Sequence, residues 1–218
     1  MPRLSTLYLF SYNTLQAIGW ATAFFIIISH FIPTKSFNGA YAAAGDLVCL
    51  LQTSSFLEVI HGAIGLVPSG VLLPLMQWGG RTHFVLAIVR QIHEVQELPP
   101  VFIAFVAWSI GEVIRYSHYA FNCIGSCPAW LMYLRYTAFI VVYPVGVAFG
   151  EMWLMYEALP FIKAKNLYAN HFNNKLPFSY YSFVVGLLVV YPFLWLKLYL
   201  HLFKQRQSKL RKKHEKKH

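Results

Sequence analysis

Leu134-Arg135-Tyr136-Thr137-Ala138-Phe139-Ile140-Val141-Val142-Tyr143-Pro144-Val145-Gly146-Val147-Ala148-Phe149-Gly150-Glu151 is the stretch that decides the fold. It lies inside Trp130–Leu159, a run of 30 mostly apolar residues. A helix needs about 20 such residues to cross a bilayer, so the run reads as a membrane span. Arg135, Tyr143 and Glu151 sit within it, with Pro144 and Gly146 between the last two. Proline removes a backbone hydrogen bond and glycine lets neighbouring groups approach. The span therefore carries a local opening where substrate atoms can meet side chains.

The same criterion, applied outward, predicts further spans at Leu7–Ile32, Leu47–Val67, Val71–Val89, Val101–Tyr119 and Phe178–Phe203. The third is the weakest, broken by Pro74, Gly79, Gly80 and Arg81. The first is too long for a secretory signal peptide and lacks the basic start and small-residue cleavage site. The expected fold is all-α: a polytopic membrane protein, a six-transmembrane-helix bundle over residues 1–203, followed by a basic cytosolic tail over 204–218. Composition agrees. The chain is 57% hydrophobic and 12% charged with a mean hydropathy of +0.49, against about 25% charged in an average soluble domain. Too few charges are present to coat a soluble globule of 218 residues.

The net charge of +10 first suggests nucleic acid, but residues 204–218 alone supply eight Lys/Arg and one Glu. The charge is thus a tail and not a basic face, and no nucleic-acid-binding motif accompanies it, so no nucleic-acid partner is expected. An even number of spans puts both termini on one side, and a basic tail next to the last span argues that this side is the cytosol. The loop with Lys163, Lys165 and Lys175 opposes that trend and is outweighed. Such a tail is a solvated orientation signal, an anchor on anionic lipid, or an imperfect dilysine retrieval signal in which only Lys216 is in register. Of three cysteines, Cys49 reads as a small buried residue. Cys123 and Cys127 form neither a zinc site, which needs a second ligand pair, nor a disulfide if their loop is cytosolic.

Charges inside spans are costly and usually face the bundle interior. Here Glu58, His61, Arg81, Glu112, Arg115, Arg135 and Glu151 all fall where lipid should be. Glu112 and Arg115 share a helix face at i and i+3 and can pair. The bland reading is a set of structural ion pairs. Their number favours a polar cavity for an anionic or polar substrate.

Four ordered motifs carry a family resemblance: Leu57-Glu58-Val59-Ile60-His61-Gly62 with Gln77 and Arg81 beyond it; Trp108-Ser109 with Glu112, Arg115 and Tyr116; Leu134-Arg135-Tyr136; and Tyr143-Pro144 with Gly146. Together they resemble the very-long-chain (3R)-3-hydroxyacyl-CoA dehydratases, the protein-tyrosine-phosphatase-like family that includes the plant PASTICCINO proteins. The resemblance covers roughly residues 8–203. It implies a multi-pass protein of the endoplasmic-reticulum membrane that converts a very-long-chain 3-hydroxyacyl-CoA to the trans-2-enoyl-CoA. That is the third step of microsomal fatty-acid elongation, worked alongside a condensing enzyme and ketoacyl and enoyl reductases. It implies Tyr143 and Glu151 as the catalytic pair. Glu58, Arg81, Glu112, Arg115, Arg135 and Gly146 match other positions the family relies on, with His61 as a further candidate for substrate contact or structural support. No metal or cofactor is implied. The phosphatase echo at His61–Gly70 puts Gly62 and Pro68 where a phosphatase needs its thiolate and arginine, so phosphatase chemistry is excluded by residue type.

Dehydration takes a proton from C2 and expels hydroxide from C3, and so needs a positioned base and a proton donor. Glu151 suits the base and Tyr143 the acid, because a carboxylate ionises far more readily than a phenol. The reverse assignment, with an arginine making Tyr143 acidic, stays open. One feature departs from the family: its glutamate follows the tyrosine by seven residues, here by eight. At about 100° per residue, seven residues return to within about 20° of one helix face, and eight turn Glu151 about 80° away. A π-bulge absorbs one extra residue. Either such a bulge restores the pair, or the chain is a weakened or inactive relative serving as a scaffold of the elongase complex. A small transporter is a third reading, disfavoured by the lack of an internal repeat. The histidine boxes of membrane desaturases, the H-E-x-x-H metal motif and the dinucleotide loop are all absent from the sequence.

Overall fold

Pro99 and Pro100 open the helix around which the others pack; proline at the first helical positions loses no needed N–H and presets φ. The computed structural model describes residues 3–172 and 177–215, and no strand occurs among the described residues. Six long helical segments make up the fold. They are α1 (Leu4–Thr34), α2 (Ala40–Ala63, interrupted after Ser54), α3 (Leu72–Thr82, continuing as a π-helix over His83–Val89), α4 (Pro99–Cys123), α5 (Ala129–Ala164) and α6 (Tyr180–Glu215).

α4 is the central element. Val101, Ala104, Phe105, Trp108, Glu112 and Tyr116 on it are all buried, and it packs most extensively on α1 and on the middle of α5. The α5 contact depends on small residues. A Cβ on Gly150 would sit 2.9 Å from the Ala104 Cα, and one on Gly146 would sit 3.0 Å from the Ala107 Cβ. Glycines four apart let two backbones approach, the packing mode of helices in lipid. Elsewhere the surface is apolar: Leu15 and Phe25 on α1, Val141 on α5 and Phe193 on α6 are each more than 60% exposed. Such a belt faces hydrocarbon rather than water.

Four helices, α1, α2, α5 and α6 as far as Ser208, are long and apolar enough to cross a membrane. The expected count of six is therefore not reproduced by length and composition alone. α3 and α4 fall short because they carry the polar groups, and α4 can afford them because its neighbours, not lipid, surround it. The chain is a multi-pass membrane protein. Segment limits also shift. α2 begins at Ala40 rather than Leu47, because Gly39 takes φ +81° and starts the helix there. The last helix does not stop at Phe203 but runs on through Glu215. Lys175 and the end of the tail lie outside the described residues. At the C-terminal end of α5, Lys165 Nζ donates to Glu94 Oε2 at 2.7 Å. This bond holds the Glu94 carboxyl below its ordinary range.

Candidate active site

Pro144 sets the local geometry of α5. It has no N–H for the Ile140 carbonyl, and Tyr199 of α6 donates its hydroxyl to that oxygen at 3.0 Å. Immediately after it the helix widens into a π-helix over Val145–Met152. It lies between the two residues that the sequence spaces by eight, where a bulge is expected. One π turn takes up the extra residue, and Tyr143 and Glu151 both line one cavity of about 330 Å³. The expected bulge is present, extended to 8 residues.

The cavity lies between α3, α4, α5 and α6. α5 and α6 run antiparallel, with Phe139 against Phe203 and Glu151 against Tyr191. Lining residues on α6 run from Leu187 to Leu202, which is about 22 Å along a helix. One end holds Glu151, Trp108 and Leu187; Arg135 lies toward the other, beside the start of the basic tail. Much of the wall is apolar, with Phe139, Val142, Leu194 and Leu198 among the lining residues.

Glu151 is 3% exposed. Its Oε1 accepts from Trp108 Nε1 at 2.7 Å, and its Oε2 accepts from the Tyr191 hydroxyl. Among the described residues no cation pairs with it directly. Tyr143 lines the cavity, and its hydroxyl has no hydrogen-bond partner among the described residues. Arg81 donates to Glu112 Oε1, and its guanidinium lies 4.9 Å from the Trp108 ring centre. Arg115 Nε donates to Glu112 Oε2 at 2.6 Å. A second Arg115 nitrogen reaches Glu58 Oε1 at 2.9 Å, and Tyr116 donates its hydroxyl to the same oxygen. The result is a chain of alternating charge, Arg81–Glu112–Arg115–Glu58, that neutralises itself. Arg135 stands apart: it donates to the Tyr119 hydroxyl at 3.4 Å, lies over the Tyr119 and Tyr136 rings, and has no carboxylate partner among the described residues.

Of the residues singled out from sequence, Tyr143, Glu151, Arg81, Glu112, Arg115, Arg135 and Gly146 line the cavity. The i, i+3 pairing of Glu112 and Arg115 is present. Glu58 sits behind the cavity wall, gripping Arg115. His61 does not reach the cavity at all. It accepts or donates a hydrogen bond with the Tyr8 hydroxyl at 2.9 Å and lies edge-on to Tyr12. One turn beyond Glu58 on α2, it faces α1 instead of the bundle axis. Gly62, in the phosphatase echo, is a packing position: a Cβ there would lie 2.2 Å from the Gly70 carbonyl oxygen. Sequence reasoning missed two residues that touch Glu151. Trp108 lay inside a quoted motif without a role. Tyr191 gave one faint signal, a tyrosine next to Pro192 in an otherwise apolar span.

The family model described as "Protein tyrosine phosphatase-like protein, PTPLA" matches residues 52–212. The chain belongs to the PTPLA family. Human very-long-chain (3R)-3-hydroxyacyl-CoA dehydratase 2 is 35% identical over 207 residues, covering 94% of this chain and 81% of the human protein. PASTICCINO 2 of Arabidopsis thaliana, also named a very-long-chain (3R)-3-hydroxyacyl-CoA dehydratase, is 36% identical over 184 residues, covering 84% of this chain and 82% of the plant protein. No solved structure matches the chain. The PTPLA match takes in all the cavity-lining residues and both π-helices, and leaves out the whole of α1 and the first half of α2.

Proposed function

We propose that this PTPLA member is a very-long-chain 3-hydroxyacyl-CoA dehydratase that forms the trans-2-enoyl-CoA by Tyr143/Glu151 acid-base catalysis. The observation that carries the reading is the π-helix, which turns both side chains into one cavity. Glu151 takes the C2 proton. Tyr143 delivers a proton to the C3 hydroxyl, and water leaves as the C2–C3 double bond forms. One proton has then moved onto the carboxylate and one off the phenol, so proton transfer back resets the pair. Trp108 Nε1 is a donor only, so the Glu151 oxygen it bonds is an acceptor, the role a base needs. Arg81 has five N–H donors and faces the cavity, where it meets negative charge that develops on the thioester oxygen. Arg135, cationic and without a carboxylate partner, suits the phosphate-bearing part of the CoA at the other end.

The same reading has all six segments crossing the endoplasmic-reticulum membrane, with both termini cytosolic, and has the condensing enzyme and the two reductases of elongation as partners. The second reading, a weakened or inactive relative serving as a scaffold of the elongase complex, is motivated by the eight-residue spacing; the π-helix between the two residues supports turnover instead. The test is turnover by the purified protein on a long-chain 3-hydroxyacyl-CoA. Enoyl product should form, and Tyr143→Phe and Glu151→Gln should each lower kcat by at least about 100-fold, the upper part of what general acid-base catalysis contributes. Absence of product, or product formation untouched by both substitutions, rules the reading out.

A further inference from the structure

Glu151 is held from two different helices: α4 supplies Trp108 to Oε1 and α6 supplies Tyr191 to Oε2. We infer that Tyr191, together with Trp108, is a positioning residue that fixes the Glu151 carboxylate toward the substrate; this rests on the dehydratase reading above. A carboxylate on a π-helix needs such support. The widened turn lacks the tight i→i+4 ladder, and next to it Gly150 offers no side chain to pack. A carboxylate accepting on both oxygens has its rotation blocked, and preorganisation of that kind lowers barriers without changing the residue that reacts. Arg81, lying over the Trp108 ring, links this clamp to the ion-pair chain.

Tyr191 has a second consequence. α6 is the least buried of the four helices long and apolar enough to cross a membrane. Two tyrosine hydroxyls fasten it to α5: Tyr199 on the carbonyl vacated by Pro144, and Tyr191 on Glu151. The carboxylate clamp is therefore complete only while α6 lies against α5, so α6 closes the cavity and finishes the site in one contact.

Kinetics of the purified protein on a long-chain 3-hydroxyacyl-CoA separate these roles, with Tyr191→Phe, Trp108→Phe and Tyr199→Phe compared. The first two each remove one donor to Glu151 and should lower kcat about 10- to 100-fold, the range for a hydrogen bond to a charged group, with KM within about two-fold of the parent. Tyr199→Phe removes the hydroxyl bond to the Ile140 carbonyl but keeps the ring against Phe139 and the Tyr191–Glu151 bond, so α6 stays in place and kcat should stay near that of the parent. A Tyr191→Phe protein with parental kcat, a loss expressed only in KM, or an equal loss of kcat in Tyr199→Phe would overturn the inference. Failure of the underlying reading looks different: Tyr143→Phe and Glu151→Gln would then retain activity.

Discussion

Arg115 shows why charged residues persist here at positions where lipid would expel them. One guanidinium binds Glu112 through Nε and Glu58 through its terminal nitrogens, and lies 4.4 Å from the Tyr116 ring centre. Removing one partner of a buried ion pair costs about 3–5 kcal/mol, whereas removing both costs much less. Arg115→Leu should thus lower the unfolding free energy in detergent by about 3–5 kcal/mol, and adding Glu58→Leu should recover part of that loss. Unfolding followed by circular dichroism checks both; equal stability of the single and double variants would contradict the pairing. The candidate residues were largely legible at this scale, because a charge in an apolar run is conspicuous by itself. The division of labour among them was not. His61 and Glu58 stand out equally in sequence, yet one packs on Tyr8 and Tyr12 and the other holds Arg115, because each faces a different neighbour.

Among the elements, the π-helix at Val145–Met152 carries the argument. If its purpose is to absorb one residue, removing one should restore an ordinary helix without separating the pair. Deletion of Phe149, which is exposed to the exterior, leaves a seven-residue Tyr–Glu spacing on an α-helix, about 20° from a common face. The expected outcome is turnover retained within about ten-fold of the parent, since the reacting groups keep their positions. Turnover measurement on the deletion variant decides; complete inactivation would mean that the π geometry serves more than spacing. This bulge was foreseeable because the spacing error, Pro144 and the glycines are all local. The second π-helix, at His83–Val89, left no comparable trace. Nor did the use of Trp108 and Tyr191, since their shared acceptor is on a third helix.

In the whole molecule, α4 is wrapped by its neighbours and α3 is short, so neither resembles a lipid-facing span in composition. The proposed arrangement nevertheless has both crossing. It predicts that cysteines introduced singly at Ser5 and Ser208 react with a membrane-impermeant thiol reagent from the cytosolic side. One introduced at Asn166, between α5 and α6, should react only from the lumenal side. Labelling of sealed microsomes from a background lacking the native cysteines measures this, and opposite-side labelling of Ser5 and Ser208 would break the six-span topology. The sequence by itself determined the helical membrane class and put the tyrosine and carboxylate on one segment, because apolar run length and helical period act between near neighbours in the chain; the need to absorb one extra residue was implied by the family resemblance. Only the tertiary structure decided which charges line the cavity, that His61 stays outside it, and that α6 brings Tyr191 to Glu151. Those outcomes depend on how close separate helices come, and that is set by small residues such as Gly146 and Gly150 meeting Ala107 and Ala104 across the α4–α5 interface.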